Sequence, residues 1–170
     1  MKKHLLRFLV IAAIISINIG CDQSTKYLAK KHLPREMTIQ VIDNLFVLQY
    51  AENKGGFLSM FSSLSKTFRL FFLSIIPLIA LVLMTLYIIA AADLSGLHIL
   101  GLSCIIGGGL SNIVDRLANE YVIDFMNIGI GMVRSGIFNF ADLSIMGGTA
   151  IILAMAMKDK NKTAGGIIPS

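Results

Sequence analysis

The chain reads as an all-α membrane bundle of four helices with a small β-sheet on one membrane surface. Three observations predict this. The sequence is 55% hydrophobic and 15% charged, with a mean hydropathy of +0.76, too apolar for a soluble globular domain. Four apolar runs approach the ~20 residues a helix needs to cross hydrocarbon. Between the first two lies a stretch rich in β-branched and aromatic residues, which is a strand signal. A length of 170 residues gives room for one domain, residues 1–170.

The first run, "LLRFLVIAAIISINIG", begins at Leu5 and places a span at residues 5–21. The second, Thr67 to Ala92, places a span at 67–92. Its Pro77 is tolerable because a membrane helix can satisfy the freed carbonyl locally. The third, Gly96 to Val114, carries Gly107, Gly108, Gly109 and Ser111, small residues that permit close helix packing. The fourth covers residues 142–157 and carries Gly147, Gly148 and Ala150. It is somewhat short, so its ends must lie near the interfaces.

An even number of spans puts both tails on one side. Lys2, Lys3 and Arg7, with Lys158, Lys160 and Lys162, argue that this side is cytoplasmic. The connector between spans two and three holds Asp93 and no Lys or Arg, and Lys30, Lys31, Arg35 and Lys54 lie on the other side; the tails decide. Outer segments then cover residues 31–66 and 115–141, and 158–170 is a solvated tail. In the first outer segment, "MTIQVIDNLFVLQY" reads as two short strands around a turn at Asp43-Asn44. Residues 59–66 and 119–138 read as connections of mixed polarity.

The net charge of +5 does not make a nucleic-acid binder, because the cations sit at the tails and span ends and form no stripe interleaved with aromatics. Membrane lipid is the partner they fit. Cys21 and Cys104 form no disulfide framework and no metal spacing. His4, His32 and His98 are scattered and incidental.

The unusual polar residues gather at one membrane face. Asp22 and Lys26 end span one. Asn53 lies in the first outer segment. Asn112, Asp115 and Arg116 end span three, on one helix face by their i, i+3, i+4 spacing. Asp124 and Asn139 lie in the second outer segment, and Asp142 opens span four. Ionisable groups near hydrocarbon are expensive, so a one-sided cluster marks a functional site. The cluster has no Ser-His or Cys-His pair, no phosphate-cradling loop and no metal-ligand set. What remains is a pair of carboxylates sharing one proton, in which one activates a water and the other protonates a scissile carbonyl. That is aspartic peptidase chemistry and needs no cofactor. Asp115 and Asp22 have cations beside them and read as permanently charged. Asp124 in "YVIDFM" and Asp142 in "FNFAD" have apolar neighbours, which favour a shared proton.

Together these motifs resemble the bacterial lipoprotein signal peptidase family, signal peptidase II. "DQSTK" resembles its D-Q-x-[ST]-K motif, "GGGLSNIVDR" its G-G-x-x-G-N-x-x-D-R motif, and "VIDF" with "FNFAD" its V-x-D-F and F-N-x-A-D pair. The resemblance implies a four-helix bundle with an extracytoplasmic sheet, or cradle, and a short periplasmic helix. It implies a dyad of Asp124 and Asp142. It assigns Asp22, Lys26, Asn53, Gly55, Asn112, Asp115, Arg116 and Asn139 to shaping the site or contacting substrate. It further implies a monomeric, cofactor-free inner-membrane endopeptidase that cuts diacylglyceryl-modified prolipoproteins just before the lipidated cysteine. Two departures stand out. Ser111 replaces the family's glycine, a small-for-small change. The loop "NKGGFL" has Phe57 and Leu58 where small and aromatic residues are usual.

Three competing readings are weaker. "INIG" followed by Cys21 has the look of a lipobox, yet Asn18 stands where an apolar residue is usual, and cleavage would discard the first span. A transporter would need polar residues through the membrane's depth, and spans two and four offer little beyond Ser74 and Thr149. A lone Asp at a span end, such as Asp142, can simply cap a helix.

Overall fold

The computed structural model describes residues 2–56, 60–61, 63–91 and 93–165, with the side chains of Lys3 and of residues 159–165 outside that description. The elements run α1 (Lys2–His32), β1 (Ile39–Ile42), β2 (Phe46–Asn53), α2 (Lys66–Ala90), α3 (Gly96–Asn119), β3 (Val122–Ile130), β4 (Val133–Phe138) and α4 (Phe140–Gly165). The four helices are each long and apolar enough to cross a membrane. Half of the most apolar window of α3 is buried inside the protein, against 6% to 17% for the others, so α3 is the helix the rest surround. Its Ile106 and Ile113 pack with Ile11 of α1 and with Leu81 and Ile88 of α2.

Helix α1 is longer than its apolar run. Its 31 residues extend about 46 Å, well past a hydrocarbon core of ~30 Å. The polar stretch after Gly20 stays helical because Asp22 and Lys26 pair one turn apart, while Lys30, Lys31 and His32 complement the helix C-terminus. The projecting turns carry the sheet. Ala29 is buried with Ile123 and Phe125 of β3, and Leu33, Leu48 and Tyr50 pack around them.

The α3–α4 contact is backbone to backbone. A Cβ on Gly108 would stand 2.4 Å from Ala141 O, and one on Gly148 would stand 2.4 Å from Gly101 O. Gly147 does not share this role: a Cβ there meets nothing within 4 Å, and Ala150 is exposed. Gly148→Val is therefore expected to destabilise by at least about 2 kcal/mol through overpacking. Gly147→Ala is expected to melt at or slightly above the wild type. Thermal unfolding of the two variants in detergent checks the contrast, and equal melting points would contradict it.

The sheet has four antiparallel strands in the order β1-β2-β3-β4. The turn at Asp43-Asn44 joins β1 to β2, with Asn44 in the left-handed region at φ 55°. Strands β3 and β4 correct the reading of residues 119–138 as mere connections. Strand β3 escapes the alternation test because its first four residues are buried on both faces: Ile123 and Phe125 against α1, Val122 and Asp124 against the bundle. Among the described residues, those between β2 and α2 form bends and turns, and no separate short helix is found outside the spans.

Candidate active site

Where the sheet meets the bundle, charges are stacked in two layers. The deeper layer centres on Lys26, which is 1% exposed. Its Nζ lies 2.6 Å from Asp22 Oδ2 and 2.8 Å from Asp115 Oδ2, and donates to Asn112 Oδ1 at 2.9 Å. The ammonium is thus held by two ion pairs and one hydrogen bond. Asp22 also accepts from Ser111 Oγ at 2.7 Å and from the Ala141 N–H at 2.8 Å, which ties α1 to α3 and to the start of α4. Gln23 Nε2 donates to Ser111 Oγ at 2.9 Å and to Asp115 Oδ1 at 3.0 Å.

Sequence reasoning overlooked two of these roles. Ser111 is more than a small-for-small change, since its hydroxyl links Asp22 to Gln23. Gln23 stands inside "DQSTK", but the motif by itself assigns its uncharged side chain no role. Its position one residue from Asp22 in that motif was the available signal.

Asn112 joins this layer to the one above. Its oxygen accepts from Lys26, so its amide must face the other way, and Nδ2 donates to Asp142 Oδ1 at 2.9 Å. Asn139 and Asp142 form a reciprocal capping box at the start of α4. The Asp142 N–H donates to Asn139 Oδ1 at 2.9 Å, and the Asn139 N–H donates to Asp142 Oδ2 at 3.1 Å. The cap residue is thus Asn139, and Asp142 is its partner three residues on. Because Asn139 Oδ1 is committed to the cap, its Nδ2 points at Asp124 Oδ1, at 2.7 Å, and at Asn112 Oδ1, at 3.2 Å.

Asp124 reaches the same place from the sheet. Pairing of β2 with β3 sets Asp124 opposite Ala51 and brings Asn53 alongside. Asn53 Nδ2 donates to Asp124 Oδ2 at 2.8 Å and to Gly56 O at 2.9 Å, while its Oδ1 accepts the Gly55 N–H at 3.1 Å. The turn through Gly55 and Gly56, the latter at φ 71°, thereby fixes which way the Asn53 amide faces. Phe57 and Leu58 lie outside the described residues.

Burial is the main influence on the Asp124 carboxyl and pushes it up to about 6. The Asn53 hydrogen bond opposes this, the charge of Asp142 adds to it, and Asn139 and Lys26 pull the other way.

Asp124 and Asp142 open onto one cavity of about 620 Å³, together with Asn53, Asn112, Arg116 and Asn139. Its remaining wall is mostly apolar, with Ile128, Ile137 and Phe138 from the sheet and Leu143, Ile145 and Met146 from α4. All ten residues singled out from the sequence therefore lie in this region, as cavity wall, as the buried layer beneath, or as the Asn53 turn. The apolar wall was not legible, because half of it rides on the unrecognised strands. Among the described residues no group of three or more His, Cys, Asp or Glu is placed to hold a metal ion.

Residues 14–158 match the family model for signal peptidase (SPase) II. The chain belongs to the signal peptidase II family. Among similar members, the lipoprotein signal peptidase of Syntrophus aciditrophicus strain SB is 30% identical over 164 residues, covering 96% of this chain and all of that protein. The lipoprotein signal peptidase of Francisella tularensis subsp. novicida strain U112 is 31% identical over 158 residues, covering 93% and 96%. A solved bacterial membrane enzyme, determined in meso at 2.3 Å, superposes with a TM-score of 0.79 at 26% identity over 90% of each chain. Membership of the signal peptidase II family makes this chain a bacterial membrane protease of lipoprotein processing, and the fold agrees with the solved enzyme.

Proposed function

We propose that the chain is an aspartic endopeptidase that removes signal peptides from diacylglyceryl-modified prolipoproteins, cutting just before the lipidated cysteine. The observation that carries this reading is the shared setting of Asp124 and Asp142. One comes from the sheet and one from a helix, yet both face one cavity and both bind Asn139. Such a pair activates a water without any cofactor. Asp142, bound at one oxygen by the cap and at the other by Asn112, takes the proton of the attacking water. Asp124, whose carboxyl is pushed up by burial, holds the shared proton and gives it to the scissile carbonyl.

The substrate class follows from the cavity's wall. Apolar side chains from α4 and the sheet suit the acyl chains of a lipidated cysteine and the apolar end of a signal peptide. A substrate that is itself a membrane helix presents its scissile bond at an interface, and the carboxylates lie where the sheet meets the helices. In this reading the sheet faces the periplasm, both termini are cytoplasmic, and a monomer works within the inner membrane in contact with lipid. A transporter has no comparable support.

The direct test is cleavage of a diacylated prolipoprotein in detergent, which is expected to be preferred over its unlipidated form. Equal rates on both would remove the lipid requirement. The pH profile tests the assignment to Asp124. Its protonated form is the active one, so kcat/KM is expected to fall as pH rises through about 6. A profile that is flat from pH 5 to 8, or that rises through 6, would overturn that role.

A further inference from the structure

Pro77 has no N–H to give its helix. The carbonyl deprived of its α-helical donor is that of Leu73, four residues earlier. The backbone winds wide at this point: Phe71–Ile75 form a π-helical turn, and the Ile76 N–H bonds back to Phe71 O. Arg116 of α3 enters the opening, with its Nη1 donating to Leu73 O at 3.3 Å.

This contact matters because of what else Arg116 could do. The side chain lines the same cavity as Asp124 and Asp142, and its charge acts on both and on Asp115. A guanidinium pairs strongly with carboxylates, often through two parallel bonds. If it swung onto Asp142 or Asp124 it would hold that carboxylate ionised and block the shared proton. Bonded to a backbone carbonyl instead, it contributes charge from a fixed distance.

We infer that Pro77 is a positioning residue for the active site: by withholding its N–H it opens Leu73 O as an anchor that holds Arg116 beside the dyad and off the carboxylates. The inference rests on the peptidase reading for its effect on rate, but the contact can be tested without it.

The experiment is a double-mutant cycle on the full chain in detergent, using Pro77→Ala, Arg116→Gln and the combination. Alanine suits a helix interior, and its N–H restores the ladder bond to Leu73 O, so the variant is expected to fold. With the anchor lost, kcat on a lipidated prolipoprotein is expected to fall about ten- to a hundredfold with KM near the wild-type value. The double variant should be no slower than Arg116→Gln, because without the guanidinium the anchor has nothing to hold. A wild-type kcat in Pro77→Ala, or a double variant slowed by the product of the two single effects, overturns the inference. Should Arg116→Gln fail to fold, Arg116→Met takes its place, keeping the length of the side chain without a donor for Leu73 O.

Thermal unfolding of the same four proteins reads the contact independently of activity, and non-additive shifts are expected. Non-additive unfolding with no cleavage even by the wild type would sink the peptidase reading and leave the contact standing. Cleavage with additive effects in both readouts would do the reverse.

Discussion

Asp142→Asn is expected to lower kcat on a lipidated prolipoprotein by at least about a thousandfold, the upper range for loss of a general acid or base. The fold should survive. The oxygen of the new side-chain amide can still accept the Asn139 N–H, which preserves the cap that starts α4. Its nitrogen then becomes a donor facing Asn112 Nδ2. Asn112 cannot turn to accommodate it, since its oxygen already receives bonds from Lys26 and Asn139. The mismatch is a single local one and should cost about 1 kcal/mol. Asp124→Asn meets the same obstacle, because Asn53 and Asn139 are both locked with their amides toward it. The check is a cleavage assay paired with a melting curve. Activity above a tenth of wild type in either variant, with the protein folded, would remove that residue from the dyad.

Lys26→Met is expected to have the largest effect on stability. It leaves Asp22 and Asp115 as buried carboxylates without their cation, at 0% and 3% exposure, and removes a donor from Asn112. Breaking a buried pair by deleting one partner costs about 3–5 kcal/mol. That rivals a typical domain's whole stability of roughly 5–15 kcal/mol. Little folded protein should be recovered. Asp115→Asn is milder, since Lys26 keeps Asp22, and it should lower activity partly through incomplete folding. Purification yield and thermal unfolding compare the two. A Lys26→Met protein that melts within a few degrees of wild type would show that charge does not hold this layer together.

The spans were legible because hydropathy is a property of consecutive residues. Three of the four apolar runs lie within helices, and the second, read to Ala92, overruns α2, which ends at Ala90. Two ends moved where charge pairing took over from hydropathy: α1 continues past Gly20 through Asp22 and Lys26, and α3 continues past Val114 to Asn119; α4 runs on past Met157 to Gly165, into residues read as a solvated tail. The spacing of Asn139 and Asp142 was equally local, and it appears in the structure as the capping box.

Sequence alone was enough to establish a four-span membrane chain whose polar residues gather at one end, with motifs in the order of the signal peptidase II family. It placed a cation beside Asp22 and beside Asp115, but the cation that pairs with Asp115 is Lys26 and not the adjacent Arg116, and the remaining bonds between these residues were not legible. Asp124 meets Asn53 across 71 positions, and Lys26 meets Asn112 across 86. Strand β3, buried on both faces, hides the alternation that would have announced it. Hydropathy and helical spacing act between neighbours along the chain. Strand register, the direction a locked amide faces, and the guanidinium anchored to Leu73 depend on contacts between distant segments, and these exist only once the helices have packed and the sheet has closed over them.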